Sequence, residues 1–97
     1  MLTFERVLEV FKDYLAEDDM YEVIHTSHGY AILEWDSHRK DWNGIQYCET
    51  LEEMRDFLLD DFAGFMEYKI TDAERDITKE ERGKIQFQRQ TLMERCR

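Results

Sequence analysis

Two spacings of apolar residues alternate along this 97-residue chain, and they limit its fold more than any other feature. The first segment has apolar residues three and four apart, which places them on one face of a helix: Phe4, Val7, Leu8, Phe11 and Leu15. We expect this helix to run from Thr3, its N-cap, to about Ala16. A longer helix is predicted after Thr50, which forms a capping box with Glu53. Its apolar stripe comprises Leu51, Met54, Leu58, Phe62, Phe65 and Met66.

Between these helices, short runs of β-branched and aromatic residues indicate strands. The three runs are YEVIHT (21–26), YAILEW (30–35) and WNGIQYC (42–48). The first two are joined by a tight turn, in which Gly29 is free to adopt a positive φ. The segment DSHRKD (36–41) predicts a second, polar turn. Asn43-Gly44 leaves two alternatives open, because this pair is typical of a hairpin turn but could also form a bulge.

The end of the chain carries a third helical pattern, which begins with a capping box of Thr78 and Glu81. Its apolar face is thin, so this helix must pack on something else: Ile85, Leu92, Met93 and Cys96. The chain has no proline and only four glycines, which favours long helices and tight turns. The order α-β-β-β-α-α predicts one α+β domain, with an antiparallel three-stranded meander and helices on one face. The other face of the sheet could stay open and expose an apolar patch.

Charge divides the chain into an acidic body, residues 1–78, and a basic C-terminal helix, residues 79–97. The net charge of −10 repels nucleic acid and anionic lipid on average and favours a cationic partner. The first segment lacks the basic start of a signal peptide, and no apolar run is long enough for a membrane span. We therefore expect a cytoplasmic protein that binds neither nucleic acid nor a membrane.

The basic helix 79–97 has three interpretations. It could fold back on the acidic body, it could cross to a second copy and form a homodimer, or it could contact nucleic acid. The overall charge disfavours the third interpretation, and the other two remain open.

Histidines and a cysteine suggest one alternative function, that of a small metal- or thiol-dependent protein. The candidates are His25, His28, His38 and Cys48. The spacing matches no established zinc pattern, because the two histidines of the hairpin are not followed by a second close pair. Cys48 precedes the start of the long helix, where the helix dipole could lower the pKa of its thiol. We expect no cofactor and no catalytic residue.

Acidic side chains recur three and four residues apart around the start of the long helix, where they would line one ridge. They are Glu49, Glu52, Glu53, Asp56 and Asp60. Regularly spaced carboxylates can imitate a phosphate backbone or attract a basic protein. Two aromatic residues of the hairpin, Tyr30 and Trp35, are the secondary candidates, as apolar anchors if their face of the sheet is open.

The segments LTFERVLEVFKDYLAED, TSHGYAILEWD and DWNG resemble small uncharacterised proteins carried on integrative and conjugative elements of gut bacteria. The resemblance covers most of residues 2–70 and contains no catalytic motif. It implies an accessory role on a mobile element, without a defined activity. Taken with the charge, it leads us to expect a non-enzymatic interaction module that binds a basic protein partner. A structural homodimer through helix 79–97 is the further alternative.

Overall fold

The computed structural model describes all 97 residues and confirms the predicted α+β architecture. Its elements are α1 (Phe4–Glu17), β1 (Tyr21–Thr26), β2 (Gly29–Asp36), β3 (Asp41–Cys48), α2 (Leu51–Thr71) and α3 (Lys79–Arg95). The strands form one antiparallel sheet in the order β1-β2-β3, as predicted. None of the three helices combines the length and the apolar character that crossing a membrane requires.

Each helix begins after a threonine whose hydroxyl accepts a hydrogen bond from the backbone N–H three residues later: Thr3, Thr50 and Thr78. At Thr78 the predicted capping box is complete, because the Glu81 carboxylate also accepts the N–H of Thr78 at 3.0 Å. At Thr50 the predicted box is only half formed. The Glu53 carboxylate accepts the N–H of Glu49 at 3.0 Å instead of that of Thr50. This contact fixes the last residues before α2.

The turn between β1 and β2 consists of residues 27 and 28, and Gly29 is the first residue of β2. The predicted positive φ of Gly29 is confirmed at +139°. Close approach of the backbone requires glycine as well, since a Cβ atom here would lie 2.6 Å from the carbonyl oxygen of Cys48. Gly29 therefore allows the start of β2 to lie close to the end of β3.

The hydrophobic core lies between one face of the sheet and the helices α1 and α2. Its centre contains Phe11, Met54 and Leu58, which are completely buried. The helix α3 packs mainly on α2 and buries Ile85 and Cys96. The helices α1 and α2 thus lie against one side of the sheet, α3 packs on these two helices, and the other side of the sheet carries no element of this chain.

Candidate partner-binding surface

The strand register separates the sheet into a helix-covered face and an open face. Val23 and Ile32 pair on the covered face, where both contact the core. The neighbouring pairs Ile24–Ala31 and Leu33–Ile45 point to the opposite side. We call this opposite side the open face. It carries all five large apolar strand residues that are exposed: Ile24 (40%), Trp35 (38%), Trp42 (43%), Ile45 (71%) and Tyr47 (45%).

A bulge in β3 places both tryptophans on the open face. Glu34 pairs with Gly44, but the next residue, Trp35, pairs with Trp42, so Asn43 is the extra residue. Without the bulge, strict alternation would turn Trp42 toward the helices. The structure thus decides between the two alternatives for Asn43-Gly44 in favour of the bulge, and it makes Trp42 a neighbour of Trp35.

The open face forms a continuous apolar surface. The ring centroids of Trp35 and Trp42 lie 5.0 Å apart with an interplanar angle of 72°, an edge-to-face arrangement. With the exposed fractions given above, the five side chains present on the order of 500 Å² of mostly apolar surface, since a large aromatic side chain has about 150–250 Å². A patch of about 300–600 Å² is often functional in a monomer. This face is therefore the strongest candidate for an apolar contact.

The two aromatic candidates of the hairpin lie on opposite faces. Trp35 is on the open face, as the prediction of an apolar anchor requires. Tyr30 lies on the helix-covered face, where its ring stacks on His25 at 4.7 Å and on Phe4 at 5.6 Å. The two residues lie on different faces because residues an odd number of positions apart on a strand point to opposite sides. Trp42, which we did not single out from the sequence, is the aromatic neighbour of Trp35 on the open face.

The predicted acidic ridge is exposed, but part of it is engaged within the chain. Asp56 forms an ion pair with Arg55 at 2.9 Å, and Asp60 forms one with Arg89 of α3, also at 2.9 Å. Glu53 accepts the backbone N–H described above. The side chains of the remaining two form no hydrogen bond or ion pair within the chain: Glu49 and Glu52. These two carboxylates are free to contact a partner without breaking an internal bond.

A second group of carboxylates is partly buried near the end of α1. The hydroxyl of Tyr14 donates a hydrogen bond of 2.9 Å to Asp18, the buried C-cap residue of α1. One oxygen of Asp61 is buried without a hydrogen-bond partner. Burial is the main cause that raises the pKa of the Asp61 carboxyl to about 6. Three neighbouring carboxylates act in the same direction: Asp18, Asp60 and Glu34.

The candidate metal and thiol residues do not converge. His28 and His38 lie in the turns at opposite ends of β2, which are about 25 Å apart for a strand of eight residues. In the structure no group of three or more His, Cys, Asp or Glu side chains is arranged to hold a metal ion. The structure does not support the alternative in which the helix dipole lowers the pKa of the Cys48 thiol. Burial raises the pKa of this thiol, and the charge of Glu53 adds to the effect.

The basic helix α3 folds back on its own chain. Its Arg89 pairs with Asp60 of α2, and the Arg6 guanidinium of α1 donates to the carbonyl oxygen of Arg95 at 2.9 Å. The thin apolar face of α3 is thereby covered by the chain itself. A homodimer through helix 79–97 stays a prediction.

A cleft of about 340 Å³ lies between α1, α2 and α3, and Phe87 on its rim is 74% exposed. Its polar residues carry both signs of charge, with Asp13 and Glu17 on α1 and Arg95 on α3. The cleft therefore has no clear preference for a cationic ligand. For such a partner, the open face is the better candidate.

The fold and the surface define a small α+β domain with one open sheet face on an acidic body. No protein-family model, no curated protein and no solved structure matches the chain. The expected role on a mobile element stays a prediction.

Proposed function

We propose that this protein is a non-enzymatic interaction module that binds a basic protein partner. One observation carries the proposal: the chain has many more carboxylates than it pairs internally. Six of the 23 acidic side chains form ion pairs with cations of the chain, so 17 do not. Such an excess attracts cationic proteins over long distances and speeds their association.

The start of α2 is the part of the acidic surface that we expect a partner to contact. Glu49 and Glu52 are exposed and have no internal partner, so a lysine or arginine of another protein can approach them without displacing a bond. Contacts with Asp56 and Asp60 would have to compete with Arg55 and Arg89. Glu53 takes part in capping, so its replacement would also disturb the helix.

The test uses the double variant Glu49→Lys/Glu52→Lys, which leaves the cap and the ion pairs intact. Its matched control is Glu74→Lys/Asp76→Lys in the exposed segment between α2 and α3, which changes the net charge equally. Each immobilised protein is exposed to a lysate of the source cell at low and at high salt. Bound proteins are then identified and quantified by mass spectrometry.

We expect the wild type and the control to retain the same basic protein at low salt and to release it at high salt. The double variant should retain about tenfold less of it, because two charge reversals at a contact change the binding free energy by about 1.4 kcal/mol or more. Equal retention by the double variant, or retention that salt does not change, would contradict the proposal.

A further inference from the structure

The two tryptophans are the only ones in the chain, and both have exposed ring surface on the open face. No cation of the chain lies over either indole, since the only cation–π contact in the structure joins Lys69 to Phe65. Two adjacent indoles on a body of net charge −10 are therefore a place where a cation from outside can bind.

A carboxylate lies on the same face beside the indole pair. Glu22 pairs with Leu33, and the N–H of Trp35 donates to the carbonyl oxygen of Met20. Glu22 is thus a diagonal neighbour of Trp35 across the two strands, a position about 7–8 Å away and within reach of long side chains. The Glu22 side chain is exposed and has no hydrogen-bond or ion-pair partner in the chain.

We propose that Glu22, Trp35 and Trp42 recognise an arginine side chain within an apolar segment of the basic partner, a step that rests on the function proposed above. Arginine fits better than lysine, because its planar guanidinium stacks on an aromatic ring and offers a two-pronged donor to a carboxylate. The apolar residues beside this arginine contact Ile24, Ile45 and Tyr47.

The size and charge of the surface favour such a partner over a second copy. The apolar area of about 500 Å² suits the core of an interface that buries about 800 Å² on each side. Two copies would bring net charges of −10 together, with Glu22 on both faces. A cationic partner gains attraction where a second copy meets repulsion.

The experiment titrates the full-length protein at low salt with a short acetylated and amidated peptide that has one arginine between valine and leucine residues. Two further peptides carry lysine or uncharged citrulline in place of the arginine. Tryptophan fluorescence reports on this site alone, because both tryptophans belong to it. We expect the arginine peptide to bind about three- to tenfold more tightly than the lysine peptide, and the citrulline peptide to bind more weakly than either.

The variant Glu22→Gln should weaken binding of the arginine peptide about three- to tenfold and leave the citrulline peptide unaffected. Its control, Glu74→Gln, removes an exposed carboxylate outside the sheet and should change nothing. Equal affinities for the three peptides, or no effect of Glu22→Gln, would overturn the arginine site. So would self-association of the protein at the salt of the titration. The function proposed from charge is tested separately by the Glu49 and Glu52 variant and would stand if only the arginine site failed.

Discussion

Asp61 lies on α2 among other acids, and its replacement by asparagine should stabilise the protein at neutral pH. One of its carboxylate oxygens is buried and accepts no hydrogen bond. Asparagine keeps the shape, removes the charge and thereby ends the repulsion from the neighbouring carboxylates Asp18 and Glu34. The substitution therefore removes an unfavourable charge without opening a cavity.

The magnitude follows from the pKa of Asp61, which is about 6 in the folded protein against an ordinary value of 3.8. The folded state thus binds this proton more tightly than the unfolded state. Its contribution to stability is fully present below pH 3.8 and is lost as the pH rises through 6. The shift corresponds to about 3 kcal/mol. Because the side chain is only half-buried, solvent screening reduces this to about 1–2 kcal/mol.

Urea unfolding at pH 7.5 and pH 5.0 measures this effect through the free energy of unfolding. We expect the wild type to be about 1 kcal/mol more stable at pH 5.0 than at pH 7.5. The Asp61→Asn variant should gain about 1–2 kcal/mol at pH 7.5 and about half of that at pH 5.0, because protonation of the wild type restores the full contribution only below pH 3.8. The control is Asp13→Asn, which makes the same chemical change at an exposed carboxylate without a hydrogen-bond partner. A variant that is no more stable than the wild type at pH 7.5 would refute the argument.

Three further substitutions, two at glycines and one at a helix cap, are checked by the same urea unfolding. Gly29→Ala should destabilise the protein by at least about 1–3 kcal/mol, because φ is positive and the added Cβ would collide with the Cys48 carbonyl oxygen. Gly64→Ala, where nothing lies within 4 Å, should instead stabilise α2 by about 0.5–1 kcal/mol. Thr78→Ala removes one half of the capping box and should lower stability by about 1 kcal/mol, with faster amide exchange in the first turn of α3. Unchanged stability in either the Gly29 or the Thr78 variant would contradict these arguments.

Most of the fold could be predicted because local patterns determine it. Three threonines followed at the right distance by helical apolar spacing located the helix starts. The strands were short, rich in β-branched and aromatic residues, and separated by polar turns. Such signals depend on neighbours in the chain and need no tertiary information.

The composition of the open face could not be predicted with the same success. It depends on one inserted residue, Asn43, and the pair Asn43-Gly44 is compatible with a turn as well as a bulge. A shift of one position reverses the side to which a residue points, so Trp42 could not be assigned to a face. Tyr30 and Trp35 could have been assigned to different faces from the sequence alone, because they are an odd number of positions apart on one strand.

Burial was the other property that the sequence did not reveal. Burial in the folded protein is the main cause that raises the pKa values of Asp61 and Cys48, and nearby carboxylates add to it. The availability of the acidic side chains on α2 also depends on the tertiary structure. Their spacing was regular in the sequence, but Asp60 is paired with Arg89, which lies 29 positions away. Only the packing of α3 on α2 shows which carboxylates remain available.

The acidic charge limits the self-association that the open apolar face would otherwise promote. An apolar patch of about 500 Å² on a neutral protein would promote association between copies. A net charge of −10 opposes that association, and it acts over about 10 Å at moderate salt, beyond the range of apolar contact. The same charge lowers the free energy of approach for a cationic protein. In the proposed function, the two features together would discriminate between partners: the charge disfavours contact between the open faces of two copies and favours the approach of a basic surface, which the apolar face would then hold at short range.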